Sequence, residues 1–291
     1  MTRLGYFGPA GTFTHAALLA SGHPFDEAVP FATERETILA AARGEVAAAI
    51  VPIENSIEGG VNATLDALAL EVQDAEIVGE EVLPVSHALI ARPGLALDDV
   101  AAVTSHPQAL AQCRRFLART LPGRRLIAAT STAEAVRTAI ASPDADAVAA
   151  IGTTTAASLY DGAVLAAEIE DEHDNRTRFL WVAAAGASPF PPDPERAAKT
   201  SIVFHGAGDA SPGWLVRCLD EFAARGINLT RIESRPLKRG LGHYLFLADL
   251  EGDARAAGVA EAIERVRAHA EVVRVLGSYP AAAGPAGFEP G

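Results

Sequence analysis

The sequence predicts an α/β protein in two parts: a larger domain of alternating strands and helices, then a smaller βαββαβ unit. Three observations carry this prediction. Short apolar runs alternate with segments of helical period from the N-terminus to about residue 185. Four prolines then crowd the stretch GASPFPPDPERAAK at 186–199, which has no periodicity and reads as a stiff surface linker. Beyond it the order becomes strand, helix, two strands, helix, strand, the ferredoxin-like order, in about the length such a domain needs.

In the first part, Arg3–Phe7 reads as a short strand, Gly8-Pro9-Ala10-Gly11 as a turn, and Thr12 to Ser21 as a helix. Thr33-x-x-Glu36 is a capping box opening a helix with Ile38, Leu39 and Ala42 on one face. Val46–Val51 is a buried strand, and Val61–Glu71 a helix carrying Leu65, Leu68 and Ala69. Extended segments run through Ile77–Ile90. Strand Ala101–Thr104 and helix Pro107–Thr120 follow, then strand Leu126–Ala129 and a helix opened by a second capping box, Ser131-x-x-Glu134. Val148–Ile151, a short helix near Ala156, and Val164–Ile169 lead to a strand at Phe179. Such alternation predicts largely parallel sheets.

After the linker, Ser201–His205 is a strand, Pro212–Arg225 a helix, Ile227–Glu233 and Tyr244–Asp249 two strands, Ala256–His269 a helix and Val272–Tyr279 a last strand. The expected boundaries are 1–185 for the larger domain, 186–198 for the linker, 199–279 for the smaller unit and 280–291 for a Pro/Gly/Ala-rich disordered tail.

The formal net charge of −13 argues against nucleic acid and anionic membrane surfaces as partners. The charge is uneven. Residues 1–198 hold 13 Lys and Arg against 26 Asp and Glu, whereas residues 199–279 hold 11 against 10. An anion bound by the larger domain therefore needs a local positive field from a few Arg residues and backbone N–H groups. No apolar run approaches bilayer length, and MTRLGYFGPAGTF has no apolar signal region, so the expected location is cytoplasmic. Cys113 and Cys218, each in a helix-like stretch, read as two buried reduced thiols. The scattered His residues lack the close pairing of a zinc site.

Several junctions carry chemistry. In FGPAGTFTHAAL, glycines between strand and helix can aim backbone N–H groups at an anion, with the Thr12 hydroxyl beside them. An ordinary turn with Thr12 as N-cap explains it better. In VPIENSIEGG, a buried strand ends in Glu54-Asn55-Ser56, where ligands of α/β folds gather. Asn55 and Ser56 suit carboxylate or carbonyl oxygens, and Glu54 or Glu58 suits proton handling. An Asx-type turn with solvated acids fits the spacing equally well. In TSHPQAL, Ser105 and His106 fit a helix cap, and Gln108 can face a site.

HDNRTRFLWV at 173–182 joins a polar cluster directly to a buried strand. Alternation puts Thr177 and Phe179 on one face and Arg178 on the other. A hydroxyl beside an aromatic wall, close to a guanidinium, suits a small carboxylated ring. Chance surface pairing of Arg176 and Arg178 with the acids of EIEDEHD is the bland alternative. In the smaller unit, Glu233-Ser234-Arg235-Pro236 ends a strand and Gly213 opens a helix. Turn and helix start explain both, or they form an amino-acid effector site with Asn228 and backbone N–H groups.

Taken together and in order, these stretches resemble the prephenate dehydratase family. The family's Gly-Pro-x-Gly-Thr-(Phe/Tyr)-(Ser/Thr) start matches Gly8–Thr14, its Pro-x-Glu-Asn-Ser segment Pro52–Ser56, its Ser-His-x-Gln Ser105–Gln108, and its Thr-Arg-Phe triplet Thr177–Phe179. The smaller unit looks like a phenylalanine-sensing ACT domain, with Glu-Ser-Arg-Pro intact at Glu233–Pro236. Its Gly-Ala-Leu-Val motif appears as Gly213-Trp214-Leu215-Val216, and Trp214 in place of Ala leaves the effector's identity open. The resemblance covers about Arg3 to Tyr279.

It implies a two-lobed catalytic domain like a periplasmic binding protein, with lobe 1 at about 1–76 plus 178–185, lobe 2 at about 77–177, and the site between them. The implied reaction converts prephenate to phenylpyruvate, water and CO2, with no metal and no organic cofactor. By this resemblance Thr177, Arg178, Phe179, Asn55 and Ser56 are catalytic, and Thr12, Glu54, Glu58, Ser105, Gln108 and Asn175 contact substrate. Thr177 meets the ring hydroxyl; the proton comes from Glu58, Glu54 or water. Gripping the carboxylate that leaves as CO2 would stabilise the ground state more than the transition state, so Arg178 is expected on the pyruvyl carboxylate. Gly213, Leu215, Val216, Asn228, Leu229, Glu233, Ser234, Arg235 and Pro236 would bind L-phenylalanine as effector. A homodimer or homotetramer is expected. Arogenate as substrate, a solute-binding protein and a non-catalytic amino-acid sensor are the alternatives.

Overall fold

The computed structural model describes residues 1–143, 146–187, 189–191, 193, 195–206 and 211–282. The first unit is built on β1 (Arg3–Phe7), α1 (Phe13–Ala20), β2 (Glu27–Phe31), α2 (Glu34–Ala42) and β3 (Ala48–Asn55). Apolar β1 lies parallel to both β2 and β3. Thr12 and Thr33 cap the two helices through their side chains, Thr33 Oγ1 accepting from the Glu36 N–H at 3.1 Å. The alternating pattern missed β2, whose Pro30 is tolerated because β2 is an edge strand.

A two-residue strand, β4 (Gly59–Gly60), folds back on β3 and leads into α3 (Asn62–Asp66). The single helix expected over Val61–Glu71 does not form: α3 passes into one π-helical turn at Ala67–Glu71. The Arg274 guanidinium, from the far end of the chain, binds the Leu68, Ala69 and Val72 carbonyls. A π turn displaces carbonyls from their regular partners, and here a cation takes them up.

β5 (Ala75–Pro84) then crosses to the second unit. That unit holds β6 (Ala88–Ala91), β7 (Ala102–Ser105), α4 (Pro107–Gln112), α5 (Arg114–Thr120), β8 (Arg125–Ala128), α6 (Thr132–Ala141), β9 (Val148–Gly152), α7 (Thr154–Leu159) and β10 (Ala163–Ala166). The helix expected over Pro107–Thr120 is broken at Cys113. Cys113 and Cys218 are both buried free thiols. The second sheet has the order β10-β6-β9-β7-β8.

The chain returns along β11 (Arg176–Ala184), which pairs with β5 from Arg176↔Pro84 to Ala184↔Ala75 and completes the first sheet, β2-β1-β3-β11-β5. Two expectations are corrected here. The crossings lie after Pro84 and before Arg176, not at 76/77 and 177/178, because all of β5 and β11 belongs to the first sheet. The sheets are mixed, not largely parallel. β11 runs antiparallel to β3 and β5, and β6 antiparallel to β9 and β10. A strand that must come back along the one that left cannot run parallel to it.

The C-terminal unit comprises β12 (Ala198–His205), α8 (Trp214–Ala223), β13 (Leu229–Pro236), β14 (Tyr244–Glu251), α9 (Ala257–Arg267) and β15 (Val272–Pro280). Its sheet order, β13-β14-β12-β15 with every pair antiparallel, is that of a ferredoxin-like βαββαβ unit. Strand alternation divides its side chains. Ile202, Phe204, Ala248 and Leu250 pack under α8 and α9. Val203, Leu245, Leu247, Leu276 and Tyr279 face the other way and share one core with Val51, Ile53, Leu65 and Ile77 of the first unit. Gly277 permits this docking: a Cβ there would lie 2.1 Å from the Ile77 carbonyl oxygen. The expected tail begins late, since Pro280 closes β15 and Ala282 donates its N–H to Glu80; the rest of it, 283–291, lies outside the described residues. Among the described residues no helix is long and apolar enough to cross a membrane.

Candidate active site

The polar mouth of β11 finds its reason in β3. β3 runs apolar through Val51 and ends in Glu54-Asn55, while β11 begins with Arg176-Thr177-Arg178. The strands are antiparallel, with Thr177 opposite Asn55 and Arg178 opposite Glu54. Each strand's polar end therefore lies against the other's, and alternation sorts the residues into two pairs on opposite faces.

On one face, Asn55 and Thr177 form a hydrogen-bonded pair whose polarity is determined by the backbone. Asn55 Oδ1 accepts from the Ile57 and Glu58 N–H groups at 3.0 and 3.1 Å. Its amide nitrogen must then face β11, where Thr177 Oγ1 lies 2.9 Å, Asn175 Oδ1 2.7 Å and the Arg176 carbonyl 3.1 Å away. Thr177 accepts in this bond, so its own hydroxyl hydrogen remains for another acceptor. Ser56 closes the turn: its N–H donates to the Arg176 carbonyl at 2.9 Å, and its hydroxyl accepts from the Arg176 N–H at 2.9 Å and donates to Asn175 Oδ1 at 3.3 Å. Buried Asn175 is thus a brace between the two strands, its carbonyl also held by the Val85 N–H.

Glu58 reaches the second unit from the same turn. Its Oε1 lies 3.5 Å from the Gln112 amide nitrogen. Gln112 Oε1 in turn lies 3.0 Å from His87 Nε2, so the proton of this imidazole sits on Nε2. His87 is buried, Phe13 of α1 meets its ring edge-on at 5.4 Å, and its backbone N–H donates to the Glu170 carboxylate at 2.8 Å. Burial pushes the His87 pKa down, against Gln112 and Glu170, which raise it. The sequence reading missed Gln112 and His87. Gln112 stands one helical turn beyond Gln108, on the same face of α4, and that i, i+4 spacing was the available signal.

The glycine turn after β1 makes hydrogen bonds of its own to the second unit. Thr12 is an N-cap, its hydroxyl donating to the Pro9 carbonyl at 3.0 Å. The Gly11 carbonyl accepts from Thr153 Oγ1 at 2.8 Å, and the Ala10 carbonyl from the Tyr160 hydroxyl at 3.2 Å. The turn is a contact between the two α/β units. Ser105 is buried, with its hydroxyl on the Ile151 carbonyl at 2.7 Å. Gln108 is exposed at the start of α4, and Phe179 is buried in the core with Leu4, Tyr6 and Ile50.

Arg178 and Glu54, expected at the substrate, have protein partners on the other face. Arg178 does lie on the opposite face from Thr177, but that face meets the C-terminal unit. Its guanidinium pairs with Glu54 (Nε–Oε1 2.6 Å), Glu80 (Nη1–Oε2 2.9 Å) and Asp249 of β14. Glu54 also pairs with Arg231 of β13 at 2.8 Å, and Glu80 with Lys199 of β12 at 2.7 Å. The guanidinium of Arg178 thus has three carboxylates around it, and the Glu54 carboxylate stands between two guanidiniums. Burial would raise the Asp249 carboxyl, but Arg178, the Ser201 hydroxyl and Arg231 hold it below the usual range.

The C-terminal unit has its own hollow of about 310 Å³, lined by Ser211, Gly213, Trp214, Leu215, Val216, Tyr244 and Phe246. Gly213, Leu215 and Val216, expected at an effector site, are among its lining. Trp214 is mostly buried, its indole N–H on the His269 carbonyl at 2.6 Å, and its ring packs on Phe204 and Phe246. Glu233-Ser234-Arg235-Pro236 is divided by alternation. Ser234 and Pro236 pair with Phe246 and Tyr244 of the hollow. Glu233 and Arg235 face the first unit: Arg235 binds Asp66 at 3.0 Å and Asn62 at 2.7 Å, and Glu233 lies 3.4 Å from Arg231. Asn228 is exposed, its amide on Glu251 at 3.0 Å, and Leu229 begins β13.

Residues 4–187 match the model of the prephenate dehydratase family. A prephenate dehydratase of Amycolatopsis methanolica is 41% identical over 286 residues, 98% of this chain and 91% of that one. The crystal structure of prephenate dehydratase from Arthrobacter aurescens in complex with L-Phe superposes with a TM-score of 0.85 at 38% identity, covering 96% of this chain and 90% of its own. A quorum-quenching acylase, GqqA, superposes with a TM-score of 0.82 at 29% identity, covering 96% and 98%. The fold thus accommodates more than one reaction, and the reaction has to be argued from the site.

Proposed function

The chain belongs to the prephenate dehydratase family, whose members are hydro-lyases, and we propose that its Thr177–Asn55 pair performs the elimination on prephenate, with L-phenylalanine acting through the C-terminal unit. In this reaction the bond to the ring carboxylate breaks as CO2. Its electron pair enters the ring, and hydroxide leaves from the opposite carbon as water once protonated. Aromatisation supplies the driving force, so the site has to hold the ring and assist the leaving oxygen.

The observation that carries this reading is the 2.9 Å Asn55–Thr177 bond with its enforced direction. It turns the Thr177 hydroxyl into a donor toward the leaving oxygen, and Asn55 cannot flip without leaving two backbone N–H groups unpaired. A threonine hydroxyl is too weak an acid to be the ultimate proton source. With Glu54 committed to Arg178 and Arg231, Glu58 or water fills that role, and Glu58 hangs on the turn that Asn55 organises.

The tail unit reads as an ACT regulatory domain. Support comes from its ferredoxin-like topology, the hollow at Gly213–Val216 and the L-Phe complex of the Arthrobacter relative. Among the described residues β13 is an edge strand of its sheet, and it carries exposed Ile232, which suits pairing with a second copy.

The deciding test is phenylpyruvate formation from prephenate at neutral pH, against Thr177→Ala and a blank, with and without L-phenylalanine. Turnover lost in Thr177→Ala supports the reading. No turnover of prephenate by folded protein, with turnover of arogenate, would transfer the reading to arogenate. Phenylalanine binding with neither turnover would make the chain a sensor.

A further inference from the structure

We propose that Asp249, in the C-terminal unit, is a positioning residue for the Thr177–Asn55 pair, acting through Arg178 and Glu54. The inference rests on the dehydratase reading for its kinetic readout only. Arg178 is the chain neighbour of Thr177, and Glu54 of Asn55, and the four stand opposite one another in the β3–β11 register. Whatever moves the Arg178–Glu54 pair on one face therefore moves the Asn55–Thr177 pair on the other.

The charges of the cluster are divided between the units. The first unit contributes Arg178, Glu54 and Glu80, one cation against two anions. The C-terminal unit contributes the cations Arg231 and Lys199 and the anions Asp249 and Glu233, the last 3.4 Å from Arg231. The first unit's half, with its excess of anions, is not balanced alone. Arg178, Glu80 and Asp249 are all buried, where an uncompensated charge is costly, so the position of β13 and β14 is felt at Arg178. Ser201 and Tyr279 complete the arrangement, the Ser201 hydroxyl on Asp249 at 2.6 Å and on the Tyr279 hydroxyl at 2.7 Å.

The same two strands carry the hollow on their opposite face. Ser234, Pro236, Tyr244 and Phe246 stand beside it, whereas Arg231, Leu247 and Asp249 point at the first unit. A ligand in the hollow that shifts β14 thus bears on Asp249, and through it on Arg178.

The test uses the full chain. Asp249→Asn keeps the side-chain volume and an acceptor for Ser201. It is expected to lower kcat on prephenate about tenfold with KM within about threefold, as a displaced reacting group does. Hydrogen exchange in segments 53–58 and 174–179 should quicken. Arg274→Ala, which loosens the same docking surface away from the cluster, should leave both readouts close to wild type. The double variant Arg178→Met/Asp249→Asn should be no worse than the more impaired single variant, as for residues on one path. Where Arg178→Met is too unstable to assay, the comparison of Asp249→Asn with Arg274→Ala decides. Wild-type kcat and exchange in Asp249→Asn would overturn the inference, as would an equal loss in Arg274→Ala or multiplicative losses in the double variant. Wild-type protein that turns over no prephenate would refute the substrate reading instead, and the exchange comparison alone would then judge the positioning role.

Discussion

Asn55 and Arg178 show how much a single side chain's partners decide. The Asn55 amide has one orientation because two backbone N–H groups claim its oxygen, and the Thr177 hydroxyl therefore points its hydrogen outward. Thr177→Ala should lose about 10²–10³-fold in kcat with KM little changed, the scale of one transition-state donor removed, and Thr177→Ser should retain most activity; steady-state kinetics on prephenate measures both. Glu58→Gln distinguishes a carboxylic acid from water as proton source: a fall in kcat with loss of its pH dependence identifies Glu58, and an unchanged pH profile identifies water. Arg178 yields the opposite kind of prediction. Arg178→Met leaves Glu54, Glu80 and Asp249 with an uncompensated buried charge, so thermal or urea unfolding should show a loss of about 3–5 kcal/mol. Weaker substrate binding at undiminished stability would instead restore Arg178 to the substrate. Its spacing from Thr177 was legible; its partners were not, because Glu80 and Asp249 are 98 and 71 residues away.

Among the elements, those defined by local chemistry were readable. Capping boxes at Thr33 and Ser131 open helices where the sequence places them. The elements that depart from expectation depend on distant partners. The π turn at Ala67–Glu71 is bound by Arg274, more than two hundred residues on. The Gly8–Gly11 turn has the glycines of an anion cradle, yet Gly11 is required for another reason: its φ is +89°, and a Cβ would lie 3.0 Å from the Ala156 side chain of the second unit. Gly11→Ala should therefore destabilise by about 1–3 kcal/mol through backbone strain. Differential scanning calorimetry reads this directly, and wild-type stability would mean that the turn does not hold the units together.

At the scale of the whole molecule, burial sets how stability responds to acid. His15, His23 and His87 have pKa values pushed down by burial, with Arg196 also acting on His23. The unfolded chain binds protons on these rings more readily than the folded one. Their contribution is complete above the unfolded value of about 6.5 and declines as pH falls below it. The carboxylates Asp66 and Asp249, held low in the fold, add a second decline below their unfolded value of about 3.9. Tm measured from pH 7.5 to 5 should fall in wild type and fall less in His87→Gln, which keeps a donor for Gln112. A second expectation concerns assembly: light scattering should give a dimer or larger, and Ile232→Glu on the β13 edge should shift it toward monomer. Taken alone, the sequence determined the order of elements in the C-terminal unit, the family, and which side chains of β11 share a face, because capping and period-2 alternation act over a few residues. Only the tertiary structure decided what each face meets. Thr177 meets Asn55 and Arg178 the C-terminal unit because β3, β11 and β14 come together from distant parts of the chain, and docking over that distance leaves no local periodic signal.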